Sequence, residues 1–377
     1  MVSILIDILT PNFSLTVSQN IFQQGIVYIC IMFFNCTEIK EGMNEAGKEK
    51  KPFLFAVDFE LREGFFVQDP LSQKDVLFNV KGISNILTQE STIPPEFHSP
   101  SRHHPEAIYR DPTTLPETYR FDTDPESYHS YAKRFNIVMD GLRRGDSYLT
   151  NLTIKTPVRS SLSLEEIFRY SRAAYKLYLP GRWVCFSPEC FVRIEKGTIH
   201  TFPMKGTIDA QISNAQDIIL NDPKETAEHN TIVDLLRNDL SRIATSVKVN
   251  CFRYIDKLET NRGPILQVSS EIEGTLPEDY PAHIGTLFFE LLPAGSVSGA
   301  PKEATIRIIR EAENEPRGFY TGVAGYFDGE TLESFVLIRF IEQSGSQLFF
   351  RSGGGITANS NSNKEYEEAI RKVYLPF

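Results

Sequence analysis

Several features that would fix a function class at once are scarce or missing in this chain. Cysteine is scarce: five residues in 377 (Cys30, Cys36, Cys185, Cys190 and Cys251), odd in number and not spaced in the close pairs that hold zinc. Neither a disulfide framework nor a structural zinc site is expected, and the thiols read as the reduced cysteines of a cytoplasmic protein. Positive charge is short as well, with 39 Lys and Arg against 49 Asp and Glu and a formal charge of −10. Nucleic acids and anionic membranes require a basic face, so neither is an expected partner. The apolar stretch 21–34 is too short to span a bilayer, is interrupted by Gln23, Gln24 and Gly25, and follows no basic segment of the kind that opens a secretory signal. A Gly-x-Ser-x-Gly turn, the Walker spacing and internal repeats are absent. Serine-hydrolase chemistry and nucleotide binding lose their usual signatures with them.

What remains is ordinary globular material, 41% hydrophobic and 23% charged, long enough for one large domain or two smaller ones. Residues 1–42 read as an extension outside the fold, with Met43 a candidate start of the compact protein. Residues 43–120 read as a short N-terminal part and 121–377 as the catalytic domain, with a proline-rich linker at 91–125. Phe53-Leu54-Phe55-Ala56-Val57 reads as a buried strand. Tyr128, Tyr131, Phe135, Val138 and Leu142 recur at helical spacing. Ser163 and Glu166 form a capping box for a helix expected to reach Leu179. Asp222, Pro223 and Glu225 open a long helix. Strands are expected near 319–328, 333–343 and 347–352, followed by a Gly353-Gly354-Gly355 loop and a last helix from Asn363. Strands clustered between scattered helices, without regular alternation, indicate an α+β fold.

Among these elements a few side chains stand out. Lys205 lies in Pro203-Met204-Lys205-Gly206-Thr207, just after the strand-like run 198–202. Such a lysine either waves in solvent at a hairpin end or projects into a cleft as an amine nucleophile. The pentapeptide alone favours the first. Glu225 with Glu228, and Glu365 with Glu368, are spaced three apart, so each pair shares a helix face. Two opposed acidic faces would suit Mg²⁺, although solvated faces near helix N-termini have the same spacing. Arg339 interrupts an apolar run (335–340) and suits a substrate carboxylate. Glu189, after Ser187-Pro188, is a candidate general acid in a dry site.

Taken in order, seven blocks resemble the chorismate-utilising enzymes, a family that includes the anthranilate, aminodeoxychorismate, isochorismate and salicylate synthases. The blocks are Gly145-Asp146-Ser147-Tyr148 with Asn151-Leu152-Thr153; Ser187-Pro188-Glu189; the Lys205 pentapeptide; residues 225–244; Gly295 to Lys302; residues 317–327; and Ser352 to Ile356 with 365–369. The similarity covers roughly residues 51–377. It implies a large chorismate-binding domain of mainly antiparallel sheets packed as a sandwich, with helices outside. It also implies that Glu228 and Glu368 ligate Mg²⁺ directly and that Glu225 and Glu365 act through water. Arg339, Tyr320 and the amides of Gly353 and Gly355 would hold the enolpyruvyl carboxylate. Thr207 and Ser296 would line the pocket, and Glu189 would protonate the leaving C4 hydroxyl.

Two positions divide the family. Isochorismate and salicylate synthases carry a lysine where this chain has Leu149, which cannot activate water. Anthranilate synthases usually carry alanine where this chain has Lys205, while aminodeoxychorismate synthases typically carry this lysine as a nucleophile. The resemblance therefore points to C4 amination of chorismate on the route to p-aminobenzoate and folate, with ammonia from a separate glutamine amidotransferase subunit. Anthranilate synthase component I and isochorismate synthase are the alternatives, and a non-catalytic chorismate- or Mg²⁺-binding regulator is a further one. Leu266 stands where the family often has histidine, which removes one polar group expected near the ring.

Overall fold

The run Phe53–Val57 is buried at every position, although a strand with one wet face would alternate. Its two faces enter two different cores. Phe53, Phe55 and Val57 pack with Ile39, Met43, Ile232 and Phe288. Leu54 and Ala56 pack with Phe78, Tyr175, Leu177 and Phe335. A strand covered on both sides loses the apolar–polar alternation, and each fully buried phenylalanine contributes about 1.5–3 kcal/mol.

That double burial gives the plan of the molecule. In the computed structural model, residues 32–86, 116, 118–260 and 263–377 are described. Among them, one sheet has ten strands and the other nine, and their strands pair antiparallel. The sheets face each other through the core built on Leu54, Phe78 and Phe335. Helices Cys36–Lys48, Pro223–Leu240 and Ile284–Glu290 cover the outside of the first sheet. Helices Tyr128–Arg143, Lys302–Glu313 and Ser362–Arg371 cover the second. The expected α+β sandwich with outer helices is what forms.

The expected boundaries do not separate bodies. Residues 1–31 lie outside the described residues, as does the proline-rich stretch through residue 115. Residues 33–42, expected outside the fold, belong to it: Phe33–Phe34 pairs with Gly64–Gln68, and the helix Cys36–Lys48 buries Ile39 and Met43 completely. The division near 120 also vanishes. Phe53–Val57 pairs with Val323–Phe327, and Leu77–Val80 pairs with Tyr175–Leu179.

Three local expectations change. The capping box at Ser163 and Glu166 forms, but its helix ends at Tyr170, and Tyr175–Leu179 is a strand that supplies Tyr175 and Leu177 to the core between the sheets. Arg339 is not inside a strand; Leu332–Val336 and Phe340–Ser344 are separate, and Arg339 sits between them at φ +53°. The three glycines are not a loop, because the strand Gln347–Ile356 runs straight through them, opposite Asn151 to Thr153.

Candidate functional site at the sheet edge

Lys205 lies in Met204–Asp209, which forms one edge of the ten-stranded sheet. Register slips between Met204 and Thr207, and Gly206 takes φ +85°. A bulge of this kind re-aims a side chain at an edge. A Cβ on Gly206 would stand 2.9 Å from the Glu225 Oε2 atom, so the Glu225 carboxylate would have to shift. The Lys205 ammonium comes 3.6 Å from Glu228 Oε2 and is 29% exposed, so it occupies a cleft and not open solvent. The bare Gly355 leaves room for it: a Cβ there would lie 3.6 Å from Lys205 Nζ.

Opposite, the Glu189 carboxyl is held by a 2.5 Å hydrogen bond from Ser296 Oγ. Burial pushes its pKa up, against the pull of Ser296, Lys205, Arg339 and Lys372. It is therefore a carboxyl that keeps its proton to higher pH than an exposed glutamate, as a general acid must.

Past its last pairing with Phe340–Ser344, at Phe340 opposite Arg351, the strand Gln347–Ile356 has one free edge. Gly353 turns its carbonyl to Lys372 Nζ at 2.8 Å. In an antiparallel strand the N–H groups of Gly353 and Gly355 then share that edge. Arg339, at a left-handed φ between two strands, lines the same cavity, and its buried Nε has no hydrogen-bond partner among the described residues. An orphaned guanidinium N–H beside free amides suits a carboxylate.

Lys205, Glu189, Thr207, Ser296, Tyr320, Arg339, Gly353, Gly355 and Glu368 all line one cavity of about 320 Å³. Its charged lining comprises three cations (Lys205, Arg339, Lys372) and two carboxyls (Glu189, Glu368). With Glu189 held toward its neutral form, an acidic protein presents a positive hole, which selects an anion. A larger cavity of about 650 Å³, lined by Asp58, Trp183 and Arg351, contains none of these groups.

Glu225, Glu228 and Glu365 sit on the rim. Lys224 feels the charges of Glu228, Glu365 and Glu225 together, so the two helix ends bring their acidic pairs toward one point. Burial, then repulsion by Glu228, raises Glu225. Burial, then the charges of Glu368 and Glu228, raises Glu365. Partial desolvation works to raise Glu368 too, but Lys372, Lys205 and Lys224 together prevail and lower it. Glu225 and Glu365, which burial and neighbouring carboxylates make resist ionisation, fit a hard divalent cation, whose charge would relieve the repulsion. His200, Glu271 and Glu273 form a separate cluster within 4.8 Å. There Lys248 already pairs with Glu273 at 3.1 Å and Asn250 bonds Glu271, so its charges are met without a metal.

Sequence reasoning missed three groups. Lys372 lies four residues after Glu368 and pairs with it at 2.8 Å, a spacing that was legible. Burial, with Arg339 and Lys205 nearby, lowers its pKa. Gln267, opposite Thr207, lines the cavity, whereas Leu266 stands opposite Ile208 and does not, so the polar position is one residue further on. Strand alternation sets that choice. Asn151 also lines the cavity, with its Oδ1 atom buried and unpartnered. Asn151-Leu152-Thr153 belongs to the first of the blocks that carry the family resemblance, but the resemblance assigned Asn151 no role.

The family described as chorismate binding enzyme matches residues 8–376, and the chain belongs to it. Among its relatives is an uncharacterized PabA-like protein of Pasteurella multocida, 47% identical over 336 residues that cover 88% of this chain and 96% of that one. Aminodeoxychorismate synthase component 1 of Bacillus subtilis is 31% identical over 286 residues, 70% of this chain and 60% of that protein. The solved anthranilate synthase component I of Streptococcus pneumoniae shares the fold, with TM-score 0.62 and 23% identity over 86% of this chain and 79% of that one. The chain is thus a chorismate-utilising enzyme. Among the described residues no helix is long and apolar enough to cross a membrane.

Proposed function

We propose that this chain is the chorismate-aminating component of an aminodeoxychorismate synthase. It would convert chorismate and ammonia to 4-amino-4-deoxychorismate for p-aminobenzoate and folate synthesis. The observation that carries this reading is the amine of Lys205, aimed into the anion pocket with the Ser296-held carboxyl of Glu189 on the same cavity wall set.

The free edge at Gly353 and Gly355, with Arg339 and Tyr320, would hold the enolpyruvyl carboxylate. Mg²⁺, held by Glu228 and Glu368 directly and by Glu225 and Glu365 through water, would supply positive charge to the ring carboxylate. Once Lys205 has given one ammonium proton to solvent, its amine forms a bond to C2, the ring double bond shifts, and the C4 hydroxyl leaves as water with the Glu189 proton. Ammonia bonds to C4, the double bond shifts back, and the C2–nitrogen bond breaks to release Lys205; the proton that ammonia sheds balances the step. Covalent attack splits one difficult substitution into two. Leu149, 5% exposed, packs where a Cβ on Gly355 would lie 3.0 Å away, so an apolar wall stands beside the lysine. That wall disfavours activation of water and hence the isochorismate reaction. Ammonia would come from a glutamine amidotransferase subunit, since no amidotransferase cysteine motif occurs in this chain.

The test is incubation of the purified chain with chorismate, Mg²⁺ and ammonium, with products identified by mass and absorbance. Aminodeoxychorismate is the expected product, with ammonium and not glutamine as nitrogen donor in the absence of a partner. Anthranilate or isochorismate as the main product would overturn the reading.

A metal effect on stability is also expected. Glu225 and Glu365 have raised folded-state pKa values, so their ionisation costs stability once pH rises through those values. Mg²⁺ should offset this cost, raising Tm by about 3 °C when present at about one hundred times its Kd. The rise should be larger at pH 8 than at pH 5, where protons compete for the carboxylates. Thermal melts with and without EDTA measure it, and a Tm indifferent to Mg²⁺ at both pH values would remove the metal assignment.

A further inference from the structure

The buried Arg317 is not itself a lining residue of the anion pocket, yet each of its donors is committed. Its side chain is 1% exposed. Nε donates to Glu313 Oε2 at 2.8 Å, and one Nη2 hydrogen goes to Glu313 Oε1 at 2.6 Å. The other Nη2 hydrogen goes to the carbonyl of Asn151 at 2.8 Å. Nη1 donates to the carbonyl of Val297 at 2.8 Å and to Thr321 Oγ1 at 3.4 Å. A guanidinium has five N–H donors in a fixed fork, and all five are used.

Three of the four acceptor residues lie on separate segments that supply the pocket wall; the fourth, Glu313, ends the helix Lys302–Glu313. Asn151 lies on Leu149–Ser160, Val297 follows Ser296 in the short helix Gly295–Ser298, and Thr321 follows Tyr320. Glu313 is itself fixed by the Thr153 N–H at 2.9 Å, and Glu60 accepts from the backbone N–H groups of Arg317 and Gly318. Thr321 is held at φ +61°, a conformation a β-branched residue keeps only when its surroundings impose it.

We propose that Arg317 is a positioning residue for the reaction: it sets the mutual placement of the three wall segments and, through Val297, seats Ser296 against Glu189. The proposal rests on the chorismate reading for its kinetic test. Lysine in its place offers donors from one point and cannot span three acceptors on different segments.

Arg317→Lys is therefore expected to lower kcat at least about tenfold per folded molecule, since small misplacements of reacting groups are costly, with KM for chorismate changed less than about threefold. The alkaline limb of the kcat–pH profile should move as well, because the Ser296 bond to Glu189 is disturbed. Phe168→Leu, in a core that does not contact the pocket, is the control for stability: at an equal loss of Tm it should keep both kcat and the limb. Hydrogen exchange of amides 295–300 gives a readout that does not depend on turnover, and about tenfold faster exchange confined to that segment is expected in Arg317→Lys. If Arg317→Lys does not fold, Glu313→Gln, which keeps the shape and removes the charge, should show the same pattern at smaller amplitude. Kinetics, pH limb and exchange that all follow the control would overturn the inference. A wild-type chain that leaves chorismate untouched would instead overturn the functional reading, and the exchange result would still decide this one.

Discussion

Lys205→Ala is expected to lower chorismate amination by roughly 10³-fold or more, the scale seen when a covalent nucleophile is removed. Chorismate affinity should change little, because the carboxylate contacts assigned to Arg339, Tyr320 and the glycine amides remain. The fold should persist: Lys205 is 29% exposed, and the ion pair it makes among the described residues is with Glu228 at 3.6 Å. Intact-mass measurement during turnover should detect a chorismate-derived adduct on the wild-type chain and none on the variant. Unimpaired turnover by Lys205→Ala would remove the nucleophile from the mechanism while leaving the family assignment intact.

Glu189→Gln should cost about 10²–10⁴-fold in kcat, the usual worth of a positioned acid. The amide keeps the size and can still accept the Ser296 hydrogen bond, so KM should move much less. The pH dependence gives the sharper check. A general acid works only while protonated, and burial raises the pKa of Glu189, so wild-type activity should fall as pH rises through that raised value. Ser296→Ala removes a contact that favours the carboxylate, so its alkaline limb should lie at higher pH than in the wild type. In Glu189→Gln the limb should disappear. A limb that persists unchanged in Glu189→Gln would assign the acid to another group.

Much of this site was legible because its parts are local. The acidic pairs have helix spacing, and both helices form, Pro223–Leu240 with the expected Asp222 cap and Ser362–Arg371 with Asn361 as its cap. Glu189 follows a short turn between two apolar strands, Trp183–Ser187 and Cys190–Glu195. Where the reading slipped, the deciding contact was distant in sequence. Residues 175–179 were taken into the preceding helix because nothing nearby shows that they face the strand Leu77–Val80. The triple glycine looked like a turn because glycine usually marks one. Here the glycines keep an extended strand bare, so that Lys205 and the pair Glu365 and Glu368 can approach it.

By itself, the sequence determined the chemistry of the parts: an amine, an arginine, a buried-type glutamate and two acidic pairs, in an order that resembles one family. Periodicity and capping are written in neighbouring residues, so helices and most strands could be placed as well. Only the tertiary structure decided that Lys205 leaves the solvent. A bulge at Gly206 turns it inward, a bare strand edge at Gly355 makes room, and Glu228 from a separate helix stands 3.6 Å away. The same holds for Arg317, whose five acceptors lie on segments up to 166 residues away in the chain. Hydrogen bonds between distant segments leave no local pattern to read, and those bonds set the geometry of the pocket.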